Sequence, residues 1–276
     1  MSVNYIVRFL STPLAGPALG WFPYKVPWTS QPPAGVPISV EWKNKVSAFY
    51  APRMERNVGL AGGTWVGGSS YRAVDGRIGR DLVAASNEAL LLTGTETGIS
   101  PLKTGEDGFS VLIGCAIDSY PEAWASYWSH SHAATGATYA LQQWNNGPDL
   151  LGYFDLSNEW AELTGDFQTG TATSSYLIIG DVGRGLQTGG IGDRRLFKNG
   201  VFQETAQEGS LTTQSDPSGS SDFSIFQKFG DTTLQVDGTV FWAIFLKVPL
   251  SDAEVKSLSD NPWQIFEPRT IMMPIS

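Results

Sequence analysis

From about residue 50 onward the chain alternates short apolar runs with clusters of Gly, Asn, Asp and Ser, the punctuation of strands and turns rather than of helices. The pattern predicts strands near 89–92, 109–118, 137–144, 150–155 and 176–180, then near 195–198, 201–204, 223–228 and 240–247. The stretch Val111-Leu112-Ile113-Gly114-Cys115-Ala116-Ile117 has no polar position to alternate with, which suits a strand covered on both sides. Asn199-Gly200, set between Arg195-Leu196-Phe197-Lys198 and Val201-Phe202-Gln203-Glu204, is the sharpest turn signal in the chain. Asn-Gly supplies both positive-φ residues of a type I′ hairpin. A single helix is predicted over 251–259: Ser251 and Glu254 form a capping box, Leu250 and Val255 stand where a hydrophobic staple would join, and Asn261-Pro262 stops the run.

The first 50 residues have a different texture. Seven prolines between Pro13 and Pro37 disfavour helix and central strand alike, yet Trp21, Phe22, Tyr24 and Trp28 are too apolar for a solvated linker. Residues 1–50 therefore read as an extended arm whose aromatic side chains dock on something. Residues 51–276 read as one sandwich, carrying the short helix and a C-terminal tail over 262–276. No repeat of solenoid period is present. The expected fold class is all-β: a two-sheet antiparallel jelly-roll sandwich with an extended N-terminal arm and one short C-terminal helix.

Composition supports this and removes several functions. Charged residues make up 16% of the chain and aromatics 12%, with 10 Trp, a balance unlike the Lys-, Glu- and Leu-rich composition of a helical bundle. At 276 residues the chain can bury a full core without disulfides or metals. The formal net charge of −9 and the lack of any Lys/Arg run argue against direct nucleic-acid binding. No apolar stretch is long enough for a membrane-spanning helix, so no membrane insertion is expected. The opening Met1-Ser2-Val3-Asn4 lacks the features of a secretory signal, so folding in a reducing cytoplasm is expected. Cys115, the one cysteine, then reads as a buried structural thiol.

The region from Arg194-Arg195-Leu196-Phe197-Lys198-Asn199-Gly200-Val201 to the C-terminus resembles the laminin-G-like, concanavalin-A-like jelly-roll family. The final core strand runs from Phe241-Trp242-Ala243-Ile244-Phe245-Leu246 straight into Leu250-Ser251-Asp252-Ala253-Glu254, as in that family. The tail Ser257-Leu258-Ser259-Asp260-Asn261-Pro262-Trp263-Gln264-Ile265-Phe266-Glu267-Pro268 is similar to a subgroup found in bacteriophage and prophage proteins. The resemblance extends as a fold over about 80–270 and is specific over about 194–269. Where many relatives carry an acidic pair before the final strand, this chain has Asp237 alone, so no calcium or sugar site is carried over.

Candidate chemistry is sparse. A glycosidase on this fold needs two carboxylates about 5 Å apart, and Asp155, Glu159 and Glu162 have no such spacing; they read as a solvated acidic loop. His130 and His132 would share a strand face, but no third metal ligand is near in sequence, and a loop explains them as well. The Gly-rich steps at 62–63, 67–68 and 189–192 lack the order of a phosphate loop. The aromatic cluster Tyr120, Trp124, Tyr127 and Trp128, with Asp118 and Glu122 beside it, is the candidate glycan-binding surface, since exposed rings stack on sugars. No catalytic residue, metal or cofactor is expected.

The resulting expectation is a non-enzymatic structural protein of a bacteriophage virion, made in the host bacterial cytoplasm, on the capsid as decoration or associated with the tail. Its partners would be other virion proteins and copies of itself in a homo-oligomer, joined through Trp21, Phe22, Tyr24 and Trp28 of the arm. The alternatives are a carbohydrate-binding module for host surface saccharides and a glycoside hydrolase-like protein.

Overall fold

The computed structural model describes residues 21–95, 108–119, 125–132, 138–143, 150–154, 159–163, 175–184, 193–207, 221–228 and 231–274. Its strands are β1 (Trp21–Val26), β2 (Val46–Tyr50), β3 (Gly62–Val66), β4 (Ser70–Val74), β5 (Arg77–Leu82) and β6 (Leu90–Thr95). Next come β7 (Gly108–Ser119), β8 (Ser126–His132), β9 (Thr138–Gln143), β10 (Leu150–Phe154), β11 (Glu159–Leu163), β12 (Leu177–Arg184) and β13 (Asp193–Lys198). The chain continues through β14 (Val201–Gln207), β15 (Ser221–Ile225), β16 (Gln227–Lys228), β17 (Asp231–Gln235) and β18 (Asp237–Leu246). It closes with α1 (Asp252–Asp260) and β19 (Arg269–Pro274).

Two antiparallel sheets form the sandwich. One has the order β11-β10-β9-β8-β15-β6-β3, the other β14-β13-β12-β7-β18-β5-β4, with β2 pairing the far end of β18. The Asn199-Gly200 turn joins β13 to β14 with both residues at positive φ, 52° and 75°. The fold class expected from the sequence is the one observed.

β7 and β18 pair at the centre of their sheet and explain its architecture. From β7, Phe109, Val111, Ile113, Cys115 and Ile117 enter the core between the sheets, where they meet Trp128, Leu141, Phe223 and Phe245. Leu112 and Ala116 enter a second apolar cluster on the other face, with Phe241, Trp242, Ile244 and Leu246 of β18. The unbroken apolar run is thus covered on both sides, as its pattern requires. Cys115 is fully buried, and burial pushes its thiol far up.

The cover on the outer face corrects the reading of the arm. Val46–Tyr50 is a strand of the sandwich, so the arm ends before residue 46. Residues 28–42 lie on their own sheet rather than on a neighbour's. Ile38 bridges Phe266, Ser39 N–H donates to the Ile265 carbonyl at 2.8 Å, and Glu267 N–H to the Pro37 carbonyl at 2.9 Å. The Trp28 indole donates to the Glu267 carbonyl at 2.9 Å, and Asn261 Nδ2 donates to the Trp28 carbonyl at 2.8 Å. Upstream of this, Trp21–Val26 is a strand after all, pairing with β19 from Trp21↔Pro274 to Val26↔Arg269. A two-stranded ribbon leaves an open edge on each strand, the place in a sheet where Pro23 is tolerated. Tyr24 on this ribbon is 61% exposed.

The core also holds an ion pair. Asp181 on β12 and Arg194 on β13 each expose 1% of their side chains; Arg194 Nε donates to Asp181 Oδ1 at 2.8 Å, and its Nη2 donates to Oδ2. The Trp128 indole reaches across from the other sheet and donates to Oδ2 at 2.9 Å. Buried charges are tolerated only when paired and hydrogen-bonded, and here the hydrogen bonds also join the two sheets.

Two outcomes follow. Arg194→Ala leaves the Asp181 carboxylate buried without its countercharge and should cost roughly 3–5 kcal/mol of stability, measured by urea denaturation. At α1, Ser251 Oγ accepts from Glu254 N–H at 3.3 Å, while Glu254 Oε2 accepts from Ser251 N–H at 2.8 Å. Ser251→Ala should cost about 1 kcal/mol. The Ser251 N–H bond holds the Glu254 carboxyl below its usual pKa. A lowered carboxylate pKa gives stability that is full above the unfolded value and lost as pH falls through the folded one. The penalty of Glu254→Ala should therefore be full at neutral pH and shrink on acidification, as checked by denaturation midpoints across that range.

Candidate functional site

A cleft of about 730 Å³ opens at the edge of the outer layer. Five segments build it. The first is the β4–β5 hairpin tip, where Asp75 and Gly76 sit at φ 49° and 74° between the paired Val74 and Arg77. This is a second type I′ turn, signalled by Asp-Gly. The second is the Ala51–Met54 turn, closed by Met54 N–H on the Ala51 carbonyl at 3.0 Å. Pro52 followed by a positive-φ residue is the type II pattern, yet Arg53 at φ 65° stands where Gly or Asn is usual. The left-handed conformation costs a non-glycine residue roughly 1–2 kcal/mol.

The third segment is Thr29–Gln31 of the arm, and Gln31 Nε2 braces the turn by donating to the Pro52 carbonyl at 2.6 Å. The fourth is the chain end of α1 with the 3-10 turn after it, contributing Ser259, Asp260, Asn261 and Trp263. The floor is the sheet itself, with Tyr176 just before β12 and Phe241 and Trp242 of β18. β18 is irregular between Val240 and Trp242, and the bulge sends both Phe241 and Trp242 to the outer face.

The polar groups of the cleft are positioned by short bonds. Trp242 Nε1 donates to the Tyr176 hydroxyl at 2.9 Å, and Tyr176 N–H donates to Asp75 Oδ2 at 2.8 Å. The Arg77 guanidinium lies 4.0 Å from the centre of the Tyr176 ring. Burial raises the Tyr176 phenol above its ordinary pKa, only partly offset by the Trp242 and Arg77 contacts, so it stays protonated with its O–H as a donor. Asp260 is paired with Lys256. Aromatic faces beside fixed donors and acceptors are the equipment for holding a polyhydroxylated ring.

The residues singled out from the sequence fall elsewhere. Tyr127 and Trp128 are fully buried in the core, so they are not a sugar-stacking surface. β8 is irregular between Ser126 and Trp128, and this bulge lets two adjacent aromatics share the inner face. Tyr120, Trp124 and Glu122 lie outside the described residues. Asp118 accepts both arms of Arg72, at 2.5 and 2.8 Å, which holds the guanidinium above its usual pKa. His130 is a buried strand residue, its ring 4.4 Å from that of Phe223. His130 and His132 belong to β8, not to a loop. Glu159 and Glu162 stand in strand β11 rather than in an acidic loop, and Asp155 lies outside the described residues. Of the arm residues, Trp28 packs on its own outer cluster, while Trp21, Phe22 and Tyr24 belong to the ribbon. Among the described residues no group of three His, Cys, Asp or Glu could hold a metal ion. No helix among them is long and apolar enough to cross a membrane.

No family model matches the chain, and no curated protein does. Solved structures do. The botulinum neurotoxin serotype G binding domain matches with a TM-score of 0.53 at 14% identity, covering 78% of this chain and 50% of that one. Domain 4 of AbnA, a GH43 extracellular arabinanase from Geobacillus stearothermophilus, solved in complex with arabinotriose, matches with a TM-score of 0.55 at 14% identity. That match covers 78% of this chain and 98% of the domain. The botulinum neurotoxin DC binding domain in complex with SialylT matches with a TM-score of 0.55 at 10% identity, covering 79% and 51%. The chain thus spans about half the length of the neurotoxin binding domains and nearly all of the arabinanase domain. At these identities the likeness establishes the β-sandwich fold.

The cleft floor has a steric requirement that can be checked. A Cβ on Gly114 would lie 2.3 Å from Trp242 Nε1, so only glycine lets the indole lie flat on β7. Gly114→Ala should displace Trp242 from the Tyr176 hydroxyl and destabilise the fold by about 1–3 kcal/mol. Thermal melting together with a shift in tryptophan fluorescence would register it.

Proposed function

We propose that this protein is a carbohydrate-binding β-sandwich module without catalytic activity, and that its ligand occupies the cleft between the Asp75-Gly76 hairpin and Trp263. The observation that carries this reading is the cleft's composition: half-buried Tyr176 and Trp263 supply apolar faces over a floor of buried Phe241 and Trp242, among Arg53, Arg77, Asp75 and Asn261. The arabinanase domain that the chain spans almost completely was itself solved in complex with arabinotriose, which supports the same reading by analogy of fold. A place in a phage particle, as the C-terminal motif suggests, is compatible with it, since a host-facing saccharide module would serve there. The docking of residues 28–42 on their own sheet removes them as a free assembly arm.

The reading is tested by titrating arabino-oligosaccharides and sialylated oligosaccharides into the protein while following heat and tryptophan fluorescence. At least one should bind with quenching or a shift from Trp242 and Trp263. Ser30→Trp, which places a large ring on the exposed cleft wall, should abolish that binding without altering the melting temperature. Binding that survives Ser30→Trp, or none across the panel at millimolar concentration, would overturn the assignment.

A further inference from the structure

Two features of the cleft are unexplained by a site for neutral sugars. Arg53 occupies a left-handed position that glycine would fill without strain. Backbone strain of this kind is retained where the side chain has a use. Among the described residues Arg53 and Arg77 have no carboxylate partner, and neither do Arg56, Arg80 and Arg269, whereas Arg72, Arg184, Arg194 and Arg195 do; no ion pair there accounts for the Arg53 conformation. Arg77 spends one donor on the Asp75 carbonyl at 3.3 Å and rests its face on Tyr176. Both arginines are exposed on the cleft wall, while the two acids there are already engaged, Asp75 by the Tyr176 amide and Asp260 by Lys256. Ser259, which also lines the cleft and is only 7% exposed, has a buried hydroxyl with no hydrogen-bond partner.

Resting on the saccharide reading above, we infer that the ligand is an acidic sugar whose carboxylate is held by Arg53 and Arg77. A guanidinium offers two parallel N–H groups that match a carboxylate, and a charged pair of this kind is shorter and stronger than a neutral hydrogen bond. The Tyr176 ring, 4.0 Å from the Arg77 guanidinium, limits the rotamers of Arg77. The Gln31 bond to the Pro52 carbonyl does the same for the turn that presents Arg53. Uronic and sialic acid residues carry the required group on a pyranose ring that the neighbouring aromatic side chains can cover.

The experiment uses matched pairs: oligogalacturonate against its methyl ester, and sialyllactose against lactose, titrated calorimetrically into the full chain. At least one acid should bind, its neutral partner roughly tenfold or more weakly, and added salt should narrow the gap. Arg53→Gly relieves the strained position, so it should melt at the same or a higher temperature while losing the preference for the acid. Arg77→Gln should lose it as well. Equal affinity within both pairs would overturn the acidic-sugar assignment and leave the saccharide reading standing. Binding of none of the four would overturn the acidic-sugar assignment, and the saccharide reading would then be decided by the arabino-oligosaccharide titration above. A preference for the acid that survives in both variants would overturn the role given to these arginines.

Discussion

The central pair β7 and β18 is apolar on both faces, and that single constraint shapes everything outside the sandwich. An antiparallel sheet can ordinarily leave one face wet. Here Leu112, Phe241, Trp242, Ile244 and Leu246 would all lie bare, and each such side chain gains about 1.5–3 kcal/mol on burial. The chain answers with a third layer made of residues 28–42, helix α1 and the turn after it. Little of that layer has regular structure, so hydrogen bonds between its two halves hold it together: the backbone bonds from Ser39 to Ile265 and from Glu267 to Pro37, and the Trp28 indole to the Glu267 carbonyl. Segments more than 200 residues apart are thereby fastened to each other as well as to the sheet.

The cleft is where that layer stops. The cover ends at Trp263 and Gln31, and beyond it Tyr176 is left half-buried above Phe241 and Trp242, each 3% exposed. The Asp75-Gly76 hairpin and the Pro52-Arg53 turn rise on the other side and turn this edge into a groove. Apolar floor and polar rim therefore have separate origins. The floor is left over from the sheet's two-sided character, and the rim is drawn from turns, which can vary without disturbing the core.

Legibility in the sequence followed the range of the interactions concerned. The α1 capping box and the Asn199-Gly200 hairpin depend on residues within a few positions of one another, and both stand as read. The long apolar strands were legible for the same reason. Short strands such as β3, β4 and β5, with Gly62, Gly63 and Gly79 among them, have too few apolar positions to show a period, and they were missed along with the Asp75-Gly76 signal. The arm was misread through its prolines: they do exclude a central strand, but not a two-stranded ribbon or an irregular cover. The cleft itself was not legible at all, because its five segments meet only through tertiary pairing.

The misassigned aromatics show why composition pointed to the wrong surface. On a regular strand adjacent residues face opposite ways, so Tyr127-Trp128 and Phe241-Trp242 should each offer one ring to the core and one to the outside. Both pairs sit at irregular registers instead, and each pair shares a face. At β8 the shared face is the inner one, where Trp128 is committed to Asp181 and cannot meet a ligand. At β18 the shared face is the outer one, and it doubles the apolar surface on the side where the cover runs out. One device, a single extra residue in a strand, thus placed one aromatic pair in the inner core and the other on the outer face, at the floor of the cleft. A bulge has no hydrophobic period of its own, so two similar dipeptides with opposite fates could be told apart only once their partners across the sheet were known.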